Sequence, residues 1–476
     1  MTTGLKRTLS LFDAITIVSG TMIGSGIFIV SSDIAKQVNS TMLLLLVWLL
    51  AGIMTIFAAL SYSELSVAIP ETGGQYIYLR KIWGKLVGFL YGWTFFLVIQ
   101  TGVIAAVSVA FAKFLAIIIP FFASSNLIIN SELIKLSTQQ CLAIFIIIFI
   151  TMINTRGVKY GVIIQNVFTV AKIISLVGII ICGLCVGLRP EILHANFAHF
   201  WSLPHTGINI FSLISIALVG ALFSADAWNN LTFIASEIKK PEKNLPLAFI
   251  YGTGLVILLY LLTNVSYLAV LHLNQIKVPG EGIVAATMMA AIFGSAGKVV
   301  ISLIILVSAF GCINGNVLAG ARVLYAMAND GVFFKKLSVI DEKTDVPLNA
   351  LVVQGVWASI LVLSGSYSEL LDYIIFSALL FYVLTVSGLF VFRRKYPEVQ
   401  TAYKVPFYPY LPIAYCLMAT FVAFNLLIFK PAYTWPGLII VLSGIPVYYA
   451  WGYFSKKAVS LQETDANTLE NISEIL

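Results

Sequence analysis

Apolar segments of bilayer-crossing length succeed one another along nearly the whole chain, and this succession constrains the fold more than any single residue does. They run near 11–36, 41–68, 85–119, 138–154, 160–187, 208–235, 245–271, 290–328, 349–365, 367–392, 410–430 and 433–455. About 20 apolar residues are needed for a helix to cross. Lipid offers no partners to backbone N–H and C=O groups, so each span must satisfy its own, and the available answer is a bundle of helices. Twelve transmembrane helices are predicted. Only 10% of residues are charged and the mean hydropathy is +0.98, against about 25% charged in a soluble domain.

The charges that remain assign an orientation. With the N-terminus inside, the inner connections carry Lys6, Arg7, Arg80, Lys81, Lys85, Arg156, Lys159, Lys239, Lys240, Lys243, Lys335, Lys336, Lys343, Arg393, Arg394, Lys395, Lys404, Lys456 and Lys457. The outer ones hold only Lys36, Lys113, Lys135, Arg189, Lys277, Lys298 and Lys430. Cytoplasmic loops concentrate Lys and Arg, and an even number of spans then leaves both termini cytoplasmic. The net charge of +7 is thereby explained by topology. No soluble basic module suggests nucleic-acid binding.

The five cysteines, Cys141, Cys182, Cys185, Cys312 and Cys416, all fall in or beside spans. They do not form a disulfide framework, and Cys182-Gly183-Leu184-Cys185 lacks the βαβ setting of a redox motif. Residues 458–476 carry Glu463, Asp465, Glu470 and Glu474 without aromatics and read as an acidic, loosely attached tail. The chain is therefore expected to hold a single membrane domain over 1–457, followed by the tail 458–476.

Two spans contain interruptions. Thr21-Met22-Ile23-Gly24-Ser25-Gly26-Ile27-Phe28 places two glycines around a serine in the first, where a helix is weakened. The sixth contains Phe223-Ser224-Ala225-Asp226-Ala227-Trp228-Asn229-Asn230. A carboxylate at mid-bilayer costs about 2.5–3.5 kcal/mol on insertion scales, so Asp226 is expected to face a cavity or a partner. First and sixth are matching positions in two halves of five spans. Paired interruptions of this kind mark the binding site of a secondary transporter, where freed backbone groups meet a solute.

Several ordered motifs sharpen this reading. Gly20 through Phe28, Phe168-Thr169-Val170-Ala171-Lys172, Trp228-Asn229, Glu237 through Pro241, Asn244 through Ala248, Phe310 through Gly315 and Ala321-Arg322 together resemble the amino acid–polyamine–organocation superfamily. The resemblance is strongest to its L-type amino acid transporter branch and bacterial relatives, and runs from about residue 8 to about 430. It implies an all-α, LeuT-like fold, an inverted five-plus-five repeat with discontinuous helices 1 and 6 and two further helices. It also implies sodium-independent movement of amino acids, often by exchange.

By that resemblance the substrate carboxylate would meet N–H groups of Gly24, Ser25 and Gly26, which suits the positive end of a broken helix. The α-ammonium would meet the carbonyls of Met22 and Phe223. Phe223 also matches an aromatic that closes over substrate, with ordinary packing as its alternative. Lys172 would stand where sodium-coupled relatives hold an ion and would brace the broken first helix. Its alternative is a snorkelling lysine, awkward so far inside a span.

Two departures from the pattern matter. Many relatives place glycines just before the sixth-helix tryptophan, whereas this chain has Asp226 and Ala227. Asp226 has three open roles: binding a substrate ammonium, pairing with Lys172, or stabilising unwound backbone. Residues 120–140 also lack the cysteine that animal relatives use to join a heavy subunit, so no covalent heavy subunit is expected. Asn314 and Arg322 are secondary pathway candidates, Arg322 being better read as snorkelling or paired with a loop acid. Glu64 reads as a structural ion pair or helix-end contact. His194, His199, His205 and His272 are too scattered to hold a metal.

No cofactor is expected. An enzyme on this scaffold would need a nucleophile–base pair or a metal cluster near the cavity, and the sequence offers neither. A membrane sensor would normally add a soluble output domain. The expectation is a multi-pass cell-membrane transporter of amino acids, a sodium-independent exchanger of bacterial inner-membrane type. The alternative is a proton-coupled amino acid or polyamine symporter using Asp226 or Lys172.

Overall fold

The structure is a computed structural model describing residues 6–130, 135–198, 200, 209–278, 283–363, 367–432 and 434–453. The expected acidic tail lies outside the described residues. Helices dominate. The exception among the described residues is a small antiparallel hairpin, Leu127–Asn130 with Lys135–Ser137, between the third and fourth spans.

In chain order the spans are the broken pair Leu11–Met22 and Gly26–Val38, then Thr41–Ala68, Lys85–Ile118, Thr138–Thr155 and Val158–Val186. Ile210–Ser224 follows as the sixth, then Pro241–Val270, Val284–Asn329, Leu348–Leu361, Tyr367–Lys395, Tyr410–Phe429 and Thr434–Tyr453. Against the expected twelve, the sixth and ninth are shorter apolar helices. The eighth begins earlier than its hydropathy suggested and is kinked at Gly294, whose φ is +65°, a value that costs glycine little.

Local sequence starts these helices in recognisable ways. Ser10 and Asp13 form a reciprocal capping box at the first span, as do Ser137 and Gln140 at the fourth. Each satisfies N–H groups that a helix start leaves unpaired. Pro241 opens the seventh span, where a missing N–H costs nothing.

The way the halves meet bears on the repeat. The first span packs against the sixth through Gly26–Val38, the second against the seventh, the third against the eighth and the fourth against the ninth. Each of the first four spans thus touches the span five places later. Two halves related by a pseudo-two-fold axis produce such pairings near that axis, because equivalent elements meet there.

Buried ion pairs tie down one end of the bundle. Glu64, at the end of the second span, takes two bonds from the Arg393 guanidinium at 2.8 and 2.7 Å and one from the Val405 N–H at 2.6 Å. Arg322 and Glu237 form a second pair, with side chains 0% and 2% exposed and Nε 3.0 Å from Oε1. The Glu237 carbonyl also accepts the N–H groups of Thr8 and Leu9, strapping the N-terminal segment to the end of the sixth span. Arg322 is thus paired with a loop acid rather than lining a pathway.

Candidate functional site

The first span bends by 41° between Leu11–Met22 and Gly26–Val38. None of Gly20, Gly24 or Gly26 has a positive φ; their lack of a side chain serves close approach instead. A Cβ at Gly26 would lie 2.3 Å from Ser224 Oγ, and one at Gly20 would lie 2.0 Å from Thr169 Oγ1. The glycines let the sixth and fifth spans press directly on the break.

Carbonyls released by the bend are taken up by side chains from three neighbouring spans. Lys172 Nζ donates to the carbonyls of Gly20 at 2.6 Å and Ile23 at 2.7 Å. Cys312 Sγ lies 3.1 Å from the Thr21 carbonyl. Ser308 Oγ is 3.2 Å from those of Ile23 and Gly24. Tyr260 Oη is 3.0 Å from the Met22 carbonyl and also 3.0 Å from that of Ser224, so one hydroxyl bridges both broken spans. Buried carbonyls need such partners. The N–H groups of Gly24 and Gly26, by contrast, find no backbone acceptor among the described residues, leaving two donors aimed into the break.

The sixth span stops at Ser224, and helix resumes only for the turn Asn230–Phe233. Ala227 sits between them with φ +66°, in the left-handed region that glycine occupies more readily. Its carbonyl accepts from Thr21 Oγ1 at 3.0 Å, a second link between the breaks. Trp228 is buried with its ring edge-on to Tyr62, centroids 4.8 Å apart. Asn229 donates to Gln75 at 3.1 Å, and Asn230 to Asn316 at 2.9 Å.

These elements bring the expected residues together. Met22, Gly24, Ser25, Gly26, Phe223 and Asp226 line one cavity, joined by Cys312 and Ala227. Its volume is about 20 Å³, room for roughly one water molecule, so the conformation is closed and admits an amino acid only if the surrounding spans separate. Lys172 stands behind the first break, fully buried. The Met22 carbonyl, expected to face substrate, already has the Tyr260 hydroxyl, although a carbonyl oxygen can accept twice.

Asp226 takes Tyr382 as a partner, which its three expected roles did not name, and also bonds the backbone at Ala227 within the unwound stretch. Its Oδ1 accepts the Tyr382 hydroxyl at 2.6 Å, and no ion pair joins it to Lys172 among the described residues. The residue also borders a second cavity of about 20 Å³ shared with Tyr382 and Tyr415. Asn314 belongs to packing, bonded to Asn154 at 2.9 Å, Gln165 at 3.1 Å and the Gly161 carbonyl at 3.0 Å. Tyr260, Ser308 and Tyr382 carry no sequence signal of their own: hydroxyls are ordinary in membrane helices, and only the packing shows which carbonyl each one meets.

A family model described as amino acid permease matches residues 9–450. The serine/threonine exchanger SteT of Bacillus subtilis (strain 168) is 33% identical over 448 residues, covering 94% of this chain and 97% of its own. The human b(0,+)-type amino acid transporter 1 is 30% identical, over 95% of this chain and 89% of its own. The human cystine/glutamate transporter is 29% identical, over 99% of this chain and 91% of its own.

Proposed function

The chain belongs to the amino acid permease family, and from that membership we propose that it is a secondary active transporter of amino acids working as a sodium-independent exchanger. The observation that carries the proposal is the first-span break, with Lys172 on its carbonyls and two N–H donors in its cavity. A carboxylate is held by the N–H groups at Gly24 and Gly26 together with Ser25, beside the positive end of Gly26–Val38. The ammonium meets the carbonyls of Met22 and Phe223, and Phe223 closes over the bound solute. Lys172 supplies a fixed positive charge where sodium-coupled transporters bind a dissociable one, so no sodium is needed.

The name of the serine/threonine exchanger supports exchange, and the names of the other similar proteins, from cystine/glutamate to large neutral amino acids, leave the side-chain preference of this chain open. A second reading, proton-coupled symport, draws on the buried Asp226–Tyr382 contact, which could hold or release a proton beside the cavity. The protein is a multi-pass membrane protein. In our reading it lies in the cell membrane of a bacterium, with both termini cytoplasmic, one membrane domain over 1–457 and the tail 458–476. We expect it to act without a covalently attached heavy subunit, since residues 120–140 contain no cysteine.

Uptake of labelled alanine, leucine and arginine into proteoliposomes tests the proposal, with vesicles empty or preloaded and sodium and pH varied separately. Uptake that requires preload and ignores both ions is expected. Concentrative uptake into empty vesicles driven by a proton gradient would replace exchange with symport.

A further inference from the structure

A pocket of about 560 Å³ opens at the end of the bundle that holds the N-terminal segment, away from the substrate cavity. Its walls are that segment, the corner joining the fourth and fifth spans, and the loop before the ninth span. The corner and the loop meet closely: a Cβ on Gly157 would lie 3.4 Å from the Thr344 carbonyl, and φ there is +132°. Arg156, Lys159 and Lys343 line the pocket, and no carboxylate pairs with any of them among the described residues.

The acids in the same lining are already engaged. Asp345 pairs with Lys6 at 2.9 Å, Glu237 with Arg322, and Asp13 with Ser10 and Asn166. The pocket therefore presents three cations outside any ion pair, Arg156, Lys159 and Lys343, against one carboxylate, Asp13, whose bonding partners are neutral. Its apolar rim, Tyr160 and Ile163, continues directly into an exposed row on the fifth span: Val167, Val170, Ile174 and Val177. A spacing of three and four residues puts these side chains on one helix face.

We propose that this pocket binds the phosphate-bearing headgroup of an anionic phospholipid whose acyl chains lie along that row. A free phosphate would use the cations but gain nothing from the apolar row; a zwitterionic lipid would use the row but bring no net charge. Only an anionic lipid satisfies both, and clustered basic residues beside a membrane helix attract such headgroups.

The test is native mass spectrometry of the full-length protein with added phosphatidylglycerol, using phosphatidylcholine with identical chains as the zwitterionic control and inorganic phosphate as the competitor. One phosphatidylglycerol should be retained per protein in preference to phosphatidylcholine. The triple variant Arg156→Gln/Lys159→Gln/Lys343→Gln should weaken its retention about 100-fold. Lys335→Gln/Lys336→Gln, in the same connection but outside the pocket, should leave it unchanged. Should the triple variant fold poorly, Lys159→Gln and Lys343→Gln, both at exposed positions, should each weaken retention severalfold. Undiminished retention in these variants overturns the proposal, as does equal loss in the Lys335/Lys336 variant. Displacement of phosphatidylglycerol by millimolar inorganic phosphate would reassign the pocket to soluble phosphates.

Discussion

The two broken spans solve one problem by different chemistry. In the first, the freed carbonyls from Gly20 to Gly24 are gathered by donors from the fifth, seventh and eighth spans, with a lysine ammonium at their centre. In the sixth, a carboxylate rests on a tyrosine hydroxyl, and an alanine holds a backbone conformation better suited to glycine. The first break is fastened from outside by several partners on fixed helices. The second is held by the Tyr382, Thr21 and Tyr260 hydroxyls and by the side-chain amides of Asn229 and Asn230, with no ammonium among its partners and one residue in a strained conformation.

Removing the ammonium should hurt most. Lys172→Ala is expected to reduce uptake at least about 100-fold while the protein stays folded, because the buried Gly20 carbonyl loses its donor and that of Ile23 keeps only Ser308, beside the proposed substrate site. Near-normal uptake would remove Lys172 from the site. Splitting the Arg322–Glu237 pair comes next. Glu237→Gln leaves a buried guanidinium without its countercharge and should destabilise the protein by about 3–5 kcal/mol, seen as a lowered melting temperature in detergent. An unchanged melt would mean the strap is not held by charge.

On the sixth-span side, Asp226→Asn should lower arginine uptake about tenfold more than leucine uptake if the carboxylate serves a cationic solute. Equal losses would confine it to its Tyr382 contact. Tyr260→Phe removes the hydroxyl that meets a carbonyl of each break and should cost about 1–2 kcal/mol of stability, with a severalfold fall in uptake. Ala227→Gly is the mildest change, expected to stabilise the protein by up to about 1 kcal/mol without altering selectivity. A destabilised Ala227→Gly variant would show that its left-handed backbone carries little strain, and the contrast between the breaks would shrink.

This contrast also separates what the sequence could reveal from what it could not. Lys172 and Asp226 stand out in any linear reading because charge inside lipid is costly and therefore conspicuous. The Gly24-Ser25-Gly26 run is legible as a break for a related reason, although its glycines turn out to serve close packing more than backbone freedom. Tyr260, Ser308 and Tyr382 were invisible because a hydroxyl in a span is cheap and common. Its importance depends on which helix it faces, information held in packing between residues as far apart as Met22 and Tyr260. Cys312 lay within a recognised motif, yet cysteine in a span reads as packing until its neighbour is known.

The Tyr260 bridge is short of protons. A phenol has a single proton, and it stands equidistant from two carbonyls that each ask for one. At any instant one broken span is served and the other goes short, so the closed protein carries a standing shortage of one donor between its two halves. An arriving ammonium brings three. In the proposed binding mode it takes over the Met22 carbonyl and leaves the Tyr260 hydroxyl to Ser224, so that both halves register occupancy together.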